Sequence, residues 1–143
     1  MHKAATALYG FALVPDKIVF DFELFDRSHT IEFKLGSDGT YRLTAIFCAV
    51  RESPSNAWSG LVAASDVAAL WATVQELVTG RSIRVHAVIA DGTLVKVRAS
   101  ASPPLQFLIG ERGEWDERFE TAMRRCLATV QDAELVRRIG ELF

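Results

Sequence analysis

The 143-residue chain is 50% hydrophobic and 24% charged, with a formal net charge of −2 and a mean hydropathy of +0.16. That length suits one domain over residues 1–143 with a core that needs no staple, and that charge supplies no global field toward nucleic acid or an acidic membrane. No stretch approaches the ~20 apolar residues of a membrane helix, and the apolar start Met1–Val14 lacks an export cleavage pattern, so a cytoplasmic location is expected.

Residues 4–14 read as a strand with Tyr9, Phe11 and Leu13 on one face, because a helix would carry Gly10 in its interior at a cost of about 1 kcal/mol relative to Ala. From Lys17 to Arg51 apolar residues alternate in three runs. Ile18, Phe20, Phe22 and Leu24 form the first, Ile31, Phe33 and Leu35 the second, and Tyr41, Leu43, Ala45 and Phe47 the third. Breaks at Asp26-Arg27-Ser28 and Gly36-Ser37-Asp38-Gly39 supply the turns, so the runs form an antiparallel meander with one apolar face. Arg51–Ala64, with Ser53, Pro54 and Asn56, has the composition of a connecting loop. Trp58 within it is either a plug over the core or a recognition side chain.

Ser65 is a candidate N-cap for a helix closed by Gly80, with Asp66 at its positive end and Val67, Leu70, Trp71, Val74 and Leu77 on one stripe. Ile83–Ala99 reads as a hairpin. A three-residue bulged loop, Ala90-Asp91-Gly92, keeps Ala87 opposite Val95 and Val85 opposite Val97, whereas a two-residue turn would mix the faces. Pro103 and Pro104 break the pattern before a short strand at Leu105–Ile109. A helix follows from Glu114 to about Val130, with Trp115, Phe119, Ala122, Met123, Cys126 and Leu127 on its apolar face. Asp132 then caps a last helix through Leu135, Val136, Ile139 and Leu142. Glu120 with Arg124 and Glu134 with Arg138 are i,i+4 ion pairs. The expected fold is α+β: an antiparallel sheet of about six strands, meander plus hairpin, covered on one face by about three helices.

Chemistry is sparsely signalled. Phosphate-binding glycine loops, nucleophile elbows, paired-histidine zinc helices and calcium loops are missing from the sequence, and three histidines, His2, His29 and His86, do not make a metal site. No metal and no cofactor are expected. Cys48 and Cys126 lie among apolar residues and read as free buried thiols. His29, at a turn, reads as a surface or hairpin-end histidine and not as a ligand. The excess of arginine over lysine, about three to one, points to a GC-rich bacterial source.

One constellation stands out. The bulged hairpin sets Arg84 opposite Arg98 and His86 opposite Lys96, and facing like charges call for something negative between them. Either Asp21, Glu23 and Glu32 on the meander's outward face neutralise the cluster, or Arg84, His86, Lys96 and Arg98 bind a small anion or an acidic surface. The absence of a stacking aromatic among them argues against nucleic acid. Asp21, Glu23 and Glu32 are also the carboxylates that acid–base chemistry would use, alone or with His86. The sequence therefore points first to a non-enzymatic interaction module, accessory or inhibitor-like. Its contact residues would be Trp58, Asp21, Glu23 and Glu32, and spare apolar surface would be used for a homodimer. A pocket lined by Phe22, Phe33, Tyr41, Trp71 and Trp115 for a small molecule is the alternative, and a small enzyme using His86 with Asp21 or Glu23 is the third reading.

Overall fold

The computed structural model describes residues 8–9, 12–23, 28–49, 52–80, 93–109 and 114–139. Two short strands, β1 (Leu8–Tyr9) and β2 (Ala12–Leu13), pair with each other in a ladder of their own. The main sheet is antiparallel and six-stranded, built from β3 (Lys17–Glu23), β4 (Ser28–Leu35), β5 (Tyr41–Ala49), β6 (Glu52–Val62), β7 (Thr93–Ala99) and β8 (Leu105–Ile109) in the order β6-β5-β4-β3-β7-β8. The helices are α1 (Ala64–Gly80), α2 (Glu114–Leu127) and α3 (Ala133–Ile139), with a 3-10 turn at Ala128–Val130 between the last two. The fold is α+β, as the alternation and the helical stripes require.

The meander forms as its pattern dictates. The register sets Ile18 opposite Phe33, Phe20 opposite Ile31, Phe33 opposite Leu43 and Ile31 opposite Ala45, so the inward sets of three strands lie in continuous rows. Gly39, at φ 86, takes the left-handed position in the β4–β5 turn, and the Asp38 carboxylate accepts the Thr40 N–H at 3.0 Å. The buried Tyr41 hydroxyl donates to the Pro15 carbonyl at 2.8 Å and ties the entry of β3 to β5.

The inward strand residues share one buried cluster with Val67, Leu70, Trp71, Val74 and Leu77 of α1, Phe119, Met123 and Cys126 of α2, and Leu135 and Ile139 of α3. Phe119 is its hinge residue. Its ring lies 6.0 Å from Phe20, 6.3 Å from Phe22 and 5.2 Å edge-on from Phe107, so one side chain joins α2 to two strands, β3 and β8. Asp132 caps α3 as expected, accepting the N–H groups of Glu134 and Leu135 at 2.9 and 3.1 Å. α1 starts two residues earlier than a cap at Ser65 implies, at Ala64, with Asp66 and Val67 donating to the Ala63 carbonyl.

Three local expectations are corrected. The Arg51–Ala64 loop is the strand β6: its Ser, Asn and Gly content is turn-like, but pairing with β5 from Tyr41–Val62 to Phe47–Asn56 overrides composition, and Pro54 is tolerated at a sheet edge. His29 is fully buried, because it shares the inward phase of Ile31 and Phe33, and its ring stacks on Phe47 at 4.5 Å. The third concerns β7. The first arm of the expected hairpin, with Arg84 and His86, lies outside the described residues. β7 has both edges filled: Val95 faces Phe22 and Phe107, and Val97 faces Phe20 and Leu105, in the places the hairpin assigned to Ala87 and Val85. Pairing with β3 lays apolar rows together and sets acids beside bases, whereas the hairpin would have opposed like charges.

Candidate functional site

The outward face of the sheet is a grid that can be written row by row from the strand register. One row runs Ser59, Thr44, Glu32, Val19, Arg98 across β6, β5, β4, β3 and β7. The next runs Ala57, Ile46, Thr30, Asp21, Lys96, Gln106. On the other side of the Ser59 row lies Leu61, Arg42, Lys34, Lys17.

The acids and bases of β3, β4 and β7 are paired along diagonals of this grid. Arg98 meets Asp21 at 3.0 Å, Lys96 meets Glu23 at 3.2 Å and Lys17 meets Glu32 at 3.4 Å. The second oxygen of Asp21 accepts the Thr30 hydroxyl at 2.9 Å. Each of the three ion pairs joins residues two positions out of register, a span that long side chains bridge. Val19 sits directly between Glu32 and Arg98 and is buried although it faces outward, which fits charged side chains laying their apolar stems over it. Of the four expected anion ligands, Lys96 and Arg98 are thus engaged by acids of β3, and Asp21, Glu23 and Glu32 each face a cation.

Trp58 does not share this face. It is register partner to Ala45 on the inward side, half-buried, with its ring edge-on to Phe47 at 5.7 Å. The loop reading of its surroundings concealed this, and its parity with Val62 was the signal that could have shown it.

The row Arg42, Lys34, Lys17 was missed from the sequence. These three cations stand directly opposite one another on adjacent strands. Only Lys17 has an ion-pair partner, and Lys34 and Arg42 make no ion pair among the described residues. Asp38, the acid in the adjoining turn, directs a carboxylate oxygen onto Thr40. Strand spacing puts the row at about 10 Å from end to end. Its signal was available: Lys34 and Arg42 flank the β4–β5 turn at matching outward positions.

No family model matches the chain, and no curated protein or solved structure matches it.

The described residues also line clefts. One, of about 470 Å³, lies among Val14–Asp16, Trp71, Gln75 and Ser100–Pro103. Another, of about 380 Å³, lies between α1 and α2, with Asp66, Thr73, Arg118 and Arg125 on its walls. Phe22, Phe33 and Tyr41, expected to line an aromatic pocket, are packed at 0–1% exposure, whereas Trp71 of the same set borders the larger of these two clefts. Trp115 lies outside the residues whose side chains are described. No helix among the described residues is long and apolar enough to cross a membrane.

Proposed function

We propose that this protein is a non-catalytic interaction module of accessory or inhibitor-like type, acting as a homodimer, whose outward sheet face docks on an acidic surface of another protein. The observation that carries the reading is the row Lys17, Lys34, Arg42. Like charges held opposite one another across strands are unfavourable, and the charges of Asp21, Glu23, Glu32, Lys96 and Arg98 on this face are complemented from within. Lys34 and Arg42, the two members of the row without an acid, are best matched by carboxylates from outside. Its three cations span too little length to follow a nucleic-acid backbone, and the described outward face carries no aromatic on which a base would stack.

The test is fluorescence anisotropy with a labelled oligoglutamate peptide, with tripolyphosphate and single-stranded DNA as separate probes. Oligoglutamate binding that weakens with salt and is lost in Lys34→Glu supports the reading. Equal binding by the variant, or none by the native protein, overturns it; preference for DNA or for tripolyphosphate overturns the choice of partner.

A second reading is supported by the cleft at Trp71, whose 470 Å³ falls in the size range of small-molecule sites, about 300–1,000 Å³. Its walls carry Asp16, Gln75, Ser100 and Ser102, so a polar, hydrogen-bonding ligand fits it. Ligand-dependent shifts in Trp71 fluorescence across a panel of polar metabolites would support it, and a flat response would remove it.

A further inference from the structure

We propose that β6 is the surface through which two copies of this chain associate, edge to edge, joining their sheets into one antiparallel sheet. The inference rests on the self-association put forward above and names its interface. β6 ends the sheet, and no strand among the described residues pairs with its outer edge. From Ser53 to Val62 it carries no charged residue. Natural edge strands are guarded by charge, proline or bulges. Here Pro54 and the register shift between Phe47 and Ala49 guard the first half only, leaving Asn56–Val62 open. The opposite edge, β8, is five residues against eleven.

The register follows from keeping both interiors on one side of the joined sheet. Inward residues must then pair with inward ones, which places the two-fold axis on a residue and not between two. An axis on Ser59 sets Ala57 opposite Leu61 of the partner subunit and Trp58 opposite Gly60 of the partner subunit. Large meets small in each pair. Leu61, 56% exposed, gains a neighbour of complementary size. An axis on Ala57 would oppose Gly60 to Pro54, which has no N–H to give, and an axis on Trp58 would oppose two indoles and set Pro54 against Val62. Of these three registers the one centred on Ser59 suits the strand best, and an uncharged strand is where two copies of net charge −2 approach at least electrostatic cost. A second copy is the occupant this edge fits.

Sedimentation of the full chain at about 100 µM, a concentration at which modest interfaces are populated, comes first. A dimer is expected. In a Cys48→Ser background, Ser59→Cys should form a covalent dimer on oxidation. Thr44→Cys, one strand inward and about 14 Å from its mate across the axis, should not. Ser59→Lys puts two ammoniums face to face on the axis and should shift the species to monomer with an unchanged far-UV spectrum. A native monomer refutes both the self-association and this interface. A dimer that fails either the cross-link or the Ser59→Lys test refutes the interface and leaves the self-association standing.

Discussion

Replacing Lys34 by glutamate should make the fold more stable while abolishing acidic binding. Lys34 stands between Lys17 and Arg42 in the register, so the native side chain takes part in two like-charge pairs. The substitution turns both into attractive pairs. At an exposed site each like pair costs, and each unlike pair contributes, about 0.3 kcal/mol, so four such changes amount to roughly 1 kcal/mol. For a chain of this length that corresponds to a rise in Tm of roughly 3 °C. The source is electrostatic between solvent-exposed groups, so the gain should shrink as ionic strength rises and the Debye length falls below the strand spacing. Urea and thermal unfolding of native and variant proteins, at low and at high salt, measure this directly. A variant that is less stable than the native protein, or one whose gain is the same at both salt concentrations, would refute the view that these cations repel across the strands. The oligoglutamate affinity of the same variant then tells whether the native repulsion is retained for a binding purpose.

Other consequences concern the core. Val74 is completely buried in α1, and Val74→Asp should cost about 4 kcal/mol or more by leaving a charge without a partner; loss of the cooperative unfolding transition is the expected readout. Phe119→Ala removes the ring that joins α2 to β3 and β8 and should cost about 4 kcal/mol by urea unfolding, whereas Phe119→Leu should cost less than half of that. The Cys126 thiol is buried against α1, within 3.5 Å of the Asp66 carbonyl; burial, with a lesser contribution from the Asp66 charge, pushes its pKa up from 9.0 to about 12. In a Cys48→Ser background the folded protein should therefore be inert to Ellman's reagent near neutral pH and react only on unfolding. The same shift has a sign in stability. Below 9.0 the thiol is protonated in both states, so its burial is uncharged and stability is at its full value. As pH rises from there toward 12 the unfolded chain ionises first, and stability falls by up to about 4 kcal/mol relative to Cys126→Ala.

Period-two alternation is a local property, and it placed β3, β4 and β5 with their faces and order. Helical stripes and caps are local too, which is why α1, α2 and the Asp132 cap could be read directly. β6 and the partners of β7 are not local. β6 is a strand because β5 offers it a ladder, and no window of its own Ser-Pro-Ser-Asn composition contains that fact. For β7, a hairpin with residues 83–89 and a pairing with β3 satisfy the same alternation of Val95 and Val97, so hydrophobic pattern alone does not choose between them. His29 was misplaced for a simpler reason, since its residue type outweighed a parity shared with Ile31 and Phe33.

Charge on the outward faces resolves what the apolar pattern leaves open. A hairpin partner for β7 would have set Arg84 before Arg98 and His86 before Lys96. β3 instead brings Asp21 and Glu23 to the same two cations, within 3.0 and 3.2 Å. Read in this way, outward side chains encode strand neighbours: opposite signs mark strands that lie together, and an uncomplemented sign marks a place where the chain supplies no neighbour of its own. Applied to the whole grid, the rule accounts for Lys17, Lys96 and Arg98 and leaves Lys34 and Arg42 without an acid. It also separates the two surfaces proposed here. The cationic row needs a partner of opposite charge and so selects a different molecule, whereas β6 carries no charge from Ser53 to Val62 and is matched by its own copy. The face and the edge are geometrically independent, so dimer formation through β6 leaves both copies' cationic rows open on the same side of one continuous sheet.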